Sequence, residues 1–173
     1  MKRVCLLTGP PRTGKTTLIK EAVRGFRGTA GGFYTAEIRE AGERTGFQLV
    51  ALDGREAVLS HVSINSPYRV GKYGVDIGAL ERIGVAALID AEKHSDLVVI
   101  DEIGKMEMLS LRFREAASRI IAGDKKVLGT VLFHHHAWSD MIKARSEVSL
   151  LMLNRDNYAA VLAEVRQWLG EMP

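Results

Sequence analysis

Close to the N-terminus, Gly9-Pro10-Pro11-Arg12-Thr13-Gly14-Lys15-Thr16 reads G-x-x-x-x-G-K-T, the spacing of a phosphate-binding P-loop. Successive backbone N–H groups in such a loop form a concave anion site, and a helix starting directly after it adds the positive end of its dipole. Gly9 and Gly14 allow close backbone approach that a side chain would block. Lys15 is spaced to reach the β- and γ-phosphates of a nucleotide, and the Thr16 hydroxyl to sit on Mg2+. Pro10 and Pro11 stiffen the loop and donate no hydrogen bonds. Arg12 is open between a phosphate contact and a solvated side chain.

A P-loop requires an acidic partner at the end of a hydrophobic strand. Leu97-Val98-Val99-Ile100-Asp101 supplies one, and Asp101 is expected to bind Mg2+ directly or through water. Glu102 beside it can orient and activate a water for in-line attack on the γ-phosphate, which hydrolysis needs and phosphate binding alone does not. Other candidates are weaker. Lys105 either approaches the phosphates or holds Glu102. Residues 66–74 contain Tyr68, Arg69, Lys72 and Tyr73 and read as a loop whose groups can bind phosphate or stack on a base, with solvation as the default for each. Arg145 and Arg155 are candidates for neutralising transition-state charge. Thr130 is open between sensing the γ-phosphate and packing, with packing preferred. His134, His135 and His136 are adjacent and cannot all face one metal from a regular element, so no metal site is expected there; one of them is still able to contact nucleotide.

These groups need elements to place them. Residues 3–7 read as a buried strand before the P-loop and residues 17–26 as the helix after it. Residues 31–39, 47–52 and 56–62 read as strands, with turns at 41–46 and Asp53-Gly54, so antiparallel hairpins enter an otherwise α/β chain. For most of that stretch a sheet extension is preferred to a wall near the nucleotide. Asp76 is expected to cap a helix over 77–93. Strand 97–100, helix 109–122, strand 126–133, a short helix within 138–145, strand 148–153 and a final helix to about 169, capped by Asn154 or Asp156, complete the alternation. The expected fold is an α/β three-layer P-loop sandwich, a mostly parallel sheet with an inserted antiparallel hairpin region, in one domain over 1–173.

Hydrophobic residues at 46% with charged residues at 26% indicate a globular chain able to bury a core. The net charge of +3 is mild and does not suggest a nucleic-acid partner. The single cysteine, Cys5, excludes an internal disulfide and lies in an apolar strand, as a core thiol does. The apolar run after Met1-Lys2-Arg3 is too short for a leader, and no run approaches a membrane span, so a cytoplasmic protein is expected. A monomer or weak homo-oligomer is expected.

Four segments carry a more specific resemblance: the P-loop, Gly32-Phe33-Tyr34-Thr35, Val70-Gly71-Lys72-Tyr73-Gly74-Val75 and, above all, Asp101-Glu102-Ile103-Gly104-Lys105-Met106-Glu107. Together with Asn154-Arg155-Asp156-Asn157 they make nearly the whole chain resemble the small P-loop nucleoside-triphosphatases of thermophiles and vertebrates, the latter called cancer-related nucleoside-triphosphatase. The resemblance implies the class with a catalytic glutamate beside the magnesium aspartate and a further strand between the two motif strands. It implies slow Mg2+-dependent hydrolysis of ATP, GTP, CTP and UTP with little base selectivity. Carried over by position, Gly9 to Thr16 bind phosphate and magnesium, and Leu97-Val98-Val99-Ile100-Asp101-Glu102-Ile103-Gly104 form a second nucleotide-binding segment. A nucleotide or nucleoside kinase, and a nucleotide-dependent switch or RNA-associated module, are the alternatives.

Overall fold

Val4, Cys5, Leu6 and Leu7 show no exposure, so the strand they form must be covered on both faces. A computed structural model describes residues 1–170 and shows how. The strands are β1 (Val4–Thr8), β2 (Ala30–Glu40), β3 (Glu43–Ala51), β4 (Glu56–His61), β5 (Arg69–Val70), β6 (Tyr73–Val75), β7 (Leu97–Ile103), β8 (Lys126–Val131) and β9 (Val148–Met152). The helices are α1 (Lys15–Gly25), α2 (Ile77–Ala79), α3 (Ala86–His94), α4 (Leu111–Ala122), α5 (Ala137–Lys143) and α6 (Tyr158–Leu169), with a π-helical stretch, Leu80–Val85, joining α2 to α3. Alternate residues of the strands feed two cores. Leu6, Val98 and Ile100 pack with Leu88 of α3 and Phe113 and Ile120 of α4. Leu7, Val99 and Leu128 pack with Leu18 and Ile19 of α1 and Val161 and Val165 of α6. Burial pushes the Cys5 thiol up to about 12.

All the strands join one sheet in the order β5-β6-β4-β3-β2-β7-β8-β1-β9. The sheet is mixed, which corrects the expectation of a mostly parallel one. The neighbours from β2 through β7, β8 and β1 to β9 are parallel, and those from β2 through β3, β4 and β6 to β5 are antiparallel. The reason is connection length. β2 and β3, β3 and β4, and β5 and β6 are joined by short turns, which cannot make a parallel crossover. The expected turn at 41–46 contracts to Ala41 and Gly42, with φ of 50° and 81°, so β3 starts at Glu43. Residues 66–74 are not simply a loop, because β5 and the start of β6 pair within them as a small hairpin.

β8 lies between β1, which leads into the P-loop, and β7, which carries Asp101 and Glu102. Strand β7 spends three residues from Ile100 to Ile103 where β8 spends two from Gly129 to Val131. This irregularity falls on Asp101 and Glu102 and re-aims them at the strand end. Ser110 caps α4 by accepting from the Phe113 N–H at 3.1 Å, so the helix starts two residues later than expected. The last helix starts at Tyr158 because Asn154 and Asn157 first close a turn: the Asn157 N–H donates to Asn154 Oδ1 at 3.0 Å and the Asn154 N–H to Asn157 Oδ1 at 2.8 Å. Among the described residues no helix is long and apolar enough to cross a membrane.

Candidate active site

The P-loop runs from the end of β1 into α1, whose first residue is Lys15. Its shape is imposed from outside. Gly9 has φ 153°, and a Cβ there would stand 2.1 Å from the carbonyl oxygen of Leu153. Gly14 has φ 88°, with the Tyr158 ring 3.1 Å from its Cβ position. Leu153 follows β9 and Tyr158 opens α6, so only glycine lets that segment press against the loop. Lys15 Nζ donates to the Gly9 oxygen at 3.0 Å and the Pro10 oxygen at 2.8 Å. Burial lowers the Lys15 pKa, against the pull of Glu102 and Asp101.

Asp101 is 1% exposed at the end of β7. Its Oδ1 accepts from the Thr130 hydroxyl at 2.5 Å, and its Oδ2 has no hydrogen-bond partner. Burial raises its pKa, and the hydroxyls of Thr130 and Thr16 and the ammonium of Lys15 act the other way. Glu102 is pushed up to about 7 by burial and then by the Asp101 charge, opposed by Lys15. Glu107, 4% exposed, opens a single 3-10 turn (Glu107–Leu109), and burial followed by the Glu102 charge holds its pKa well above the usual carboxylate range. Gly104 separates these two acids. A Cβ on it would lie 2.4 Å from Glu102 Oε1 and 2.9 Å from Glu107 Oε2, so a bare backbone is what allows the pair to approach.

These groups surround a cleft of about 790 Å3. Gly9, Pro11, Arg12, Gly14, Lys15, Thr16 and Thr17 line one side, with Glu102, Lys105, Met106 and Glu107 beneath. The opposite side is the antiparallel half of the sheet, contributing Thr35, Glu37, Arg44, Phe47 and Tyr73. The hairpin strands, read mainly as a sheet extension, are thus also a wall of the cleft.

The other candidates separate. Pro10 and Thr13 shape the loop, the Thr13 hydroxyl donating to the Pro10 oxygen at 3.0 Å. Leu97, Val98, Val99, Ile100 and Ile103 are buried in the core and hold Asp101 and Glu102 in place without reaching the cleft. Lys72 stands at the hairpin turn with its ammonium 5.5 Å from the Tyr73 ring, outside the cleft lining. Arg145 also lies outside the lining and pairs with Glu147 at 3.0 Å; Arg155 is exposed beyond it. The histidines take three separate positions: His134 lines the cleft, His135 pairs with Asp140, and His136 accepts from the Trp138 N–H at 3.3 Å to cap α5. Among the described residues no cluster of His, Cys, Asp or Glu is arranged to hold a metal by three or more side chains. Thr130 packs, as preferred, and in doing so fixes the Asp101 carboxyl. Sequence reasoning missed Glu107 and Arg44 as parts of the cleft. The acid between Met106 and Met108 was the available signal for the first; nothing local marks the second.

The comparisons agree on one family. The protein family described as NTPase matches residues 4–166. The chain is 46% identical over 160 residues to the nucleoside-triphosphatase THEP1 of Thermotoga sp. (strain RQ2), covering 92% of this chain and 91% of that protein. It is 34% identical over 181 residues to the human cancer-related nucleoside-triphosphatase, covering 95% of each. The crystal structure of THEP1 from the hyperthermophile Aquifex aeolicus superposes with a TM-score of 0.89 at 30% identity, over 96% of this chain and 98% of that one. On this sequence and structural evidence, the chain belongs to the NTPase family that includes these nucleoside-triphosphatases.

Proposed function

We propose that this protein hydrolyses Mg2+-bound nucleoside triphosphates to the diphosphate and phosphate, with little selectivity for the base. The observation that carries the reading is the meeting of Lys15 and Glu102 in a single cleft with the buried Asp101 beside them, where each acts on the others' charge. The P-loop backbone and the start of α1 bind the phosphates, contacts that carry no information about the base. Lys15 already holds its ammonium over the loop and supplies a positive charge to the β- and γ-phosphates.

The residues fit Mg2+. Asp101 Oδ2 is a buried oxygen without a hydrogen-bond partner, and the Thr16 hydroxyl acts on the same carboxyl. Two hard oxygen donors suit an ion that takes few protein ligands and keeps several waters. Thr16 and Asp101 would hold it, and the bound ion would draw charge from the phosphate oxygens. Thr130 keeps Asp101 Oδ1 engaged, so that Oδ2 is the oxygen left for the metal.

Glu102 takes a proton from the attacking water. The water oxygen closes on the γ-phosphorus, the bond from that phosphorus to the bridging oxygen breaks, and the diphosphate leaves. A carboxyl raised to about 7 is a stronger base than a solvated one and is ionised above neutral pH. Gly104 and Glu107 set where Glu102 stands.

Phosphate release from ATP, GTP, CTP and UTP, with Mg2+ and with excess chelator, tests this reading. Release from all four within about tenfold of one another, abolished by the chelator, is the expected result. Release from one nucleotide alone, or undiminished release without divalent metal, would overturn the base tolerance or the metal role respectively.

A further inference from the structure

Lys15 and the P-loop amides meet the γ-phosphoryl group from one side. As the bond to the bridging oxygen breaks, charge spreads over the equatorial oxygens, and a fixed cation on the opposite side acts where that charge develops. Arg145 and Arg155, the candidates for this task, both lie outside the cleft lining. Among the described residues two arginines line it, Arg12 and Arg44. Arg12 belongs to the P-loop and shares the side of Lys15. Arg44 stands on the antiparallel wall.

The register of the sheet brings that wall to Glu102. Phe33 of β2 pairs with Ile100 of β7. Two residues further on, Thr35 and Glu102 both line the cleft, and Glu37 lines it two residues beyond Thr35. A strand rises about 3.3 Å per residue and its neighbour lies about 4.8 Å away, so the Glu37 and Glu102 backbones are roughly 8–9 Å apart. That interval admits a water and a phosphoryl group. Strand β7 lies between the P-loop side of the sheet and the antiparallel half. A phosphoryl group beside Glu102 therefore has Lys15 on one hand and the wall on the other.

The wall holds its guanidinium in place. Arg44 Nε donates to Tyr73 Oη at 3.0 Å, and Nη1 donates to Glu37 Oε1 at 3.2 Å. The guanidinium stands over the Phe47 ring, 5.0 Å from its centroid, and Phe47 meets Tyr73 edge to face at 5.5 Å. Nη2 makes no hydrogen bond to any described residue. The plane is fixed while donors are left over, so this cation can meet phosphate oxygens without first reorganising. Glu37 does not cancel it. Its carboxylate also pairs with Arg39 at 2.8 Å, so one negative charge is divided between two arginines and the group keeps a positive balance.

We propose that Arg44 is a catalytic residue of the triphosphatase, donating from Nη2 to a γ-phosphoryl oxygen and neutralising charge there as the bridging bond breaks. The proposal rests on the P-loop side binding the triphosphate as described above. Glu37 and Tyr73 are positioning residues that set the plane of the guanidinium. No atom passes to or from Arg44.

Two readings on each variant test this. One is single-turnover phosphate release from Mg2+-ATP. The other is affinity for Mg2+-ADP with and without aluminium fluoride, which stands in for the phosphoryl group in flight. Arg44→Met keeps an apolar stem beside Phe47 and removes the charge. It should slow release at least about 100-fold, bind ADP within about threefold of wild type, and lose at least about 30-fold of the tightening that aluminium fluoride brings. Arg44→Lys keeps the charge without the planar fork and should slow release at least about tenfold. Arg155→Met should release phosphate within about twofold of wild type. Release by Arg44→Met within about threefold of wild type would overturn the assignment. So would equal losses of affinity with and without aluminium fluoride, which would make Arg44 a ground-state binding or structural group. Equal slowing by Arg155→Met would take the role away from the wall. If melting shows that Arg44→Met does not fold, Arg44→Lys decides, and a folded lysine variant working at the wild-type rate overturns the role of the guanidinium. Wild-type release with unchanged Arg44 variants would sink this inference alone; no wild-type release from any triphosphate would sink the triphosphatase reading with it.

Discussion

The P-loop and the hairpin turns on the far side of the cleft reverse the chain by different means. At the P-loop, Gly9 and Gly14 are pressed by Leu153 and Tyr158, which belong to another part of the chain. At the hairpins, Gly42, Gly54 and Gly71 have nothing within 4 Å of a Cβ, and only their positive φ angles call for glycine. The charges differ in the same sense. Beneath the P-loop, burial raises the pKa values of Asp101, Glu102 and Glu107. In the wall, Glu37 is drawn below the usual range: its burial is slight and is outweighed by hydrogen bonds from Arg44 and Arg39. One side is preformed by tertiary packing and holds acids away from water, while the other is shaped locally and neutralises its acids. Reactive carboxylates and a rigid anion cradle require the first kind of construction.

Gly9→Ala against Gly54→Ala probes that difference where it is largest. The first adds a methyl where a backbone carbonyl already stands, and should cost about 3 kcal/mol or more of stability. The second meets only the left-handed backbone penalty, about 1 kcal/mol. Chemical denaturation of both variants measures this, and equal losses would erase the distinction.

Gly104→Ala comes next. The methyl would fall between Glu102 and Glu107, so turnover should drop about 100-fold while melting moves by only a few degrees, because the neighbours it meets are side-chain atoms and not backbone. A large melting shift with activity retained would mean that Gly104 serves the fold and not the carboxylates.

The buried acids also give the ligand-free protein a pH signature. Glu102 is raised from its ordinary 4.5 to about 7, and Glu107 is raised too. The folded chain keeps protons that the unfolded chain has released, so stability should fall as pH rises from about 4.5 through 7. Glu107→Gln removes one such acid. It should flatten that slope and raise stability near pH 8, read from denaturation at several pH values. An unchanged slope would place Glu107 in a more solvated setting.

The smallest effect belongs to the wall. Ala41 holds φ 50° in a two-residue turn. Ala41→Gly relieves about 1–2 kcal/mol of strain and loses about 0.4–1 kcal/mol to the freer unfolded chain. A net gain of about 0.5–1 kcal/mol in a melting experiment is expected, and a loss would show that the turn is strained elsewhere.

What was readable before the structure followed the same division. The P-loop and the Asp101-Glu102 pair were legible because each is a contiguous spacing next to an apolar run. The parallel core was legible because its strands are continuous hydrophobic stretches separated by helices. The register that brings Arg44 to Tyr73, 29 positions away, was not legible, since it depends on turns whose lengths the residue types left open. Ala41 is an unusual choice for a left-handed position, and this hid the two-residue turn and lengthened the expected one. Glu107 stood in the segment that carries the resemblance but had no role until the fold put it beside Glu102.

Glu102→Gln tests the central claim most directly, with single-turnover phosphate release and nucleotide binding measured on the same protein. The expected result is release slowed at least about 100-fold with affinity for the Mg2+-bound triphosphate within a few fold of wild type. A variant that binds equally well and releases phosphate as fast as wild type would contradict water activation by Glu102.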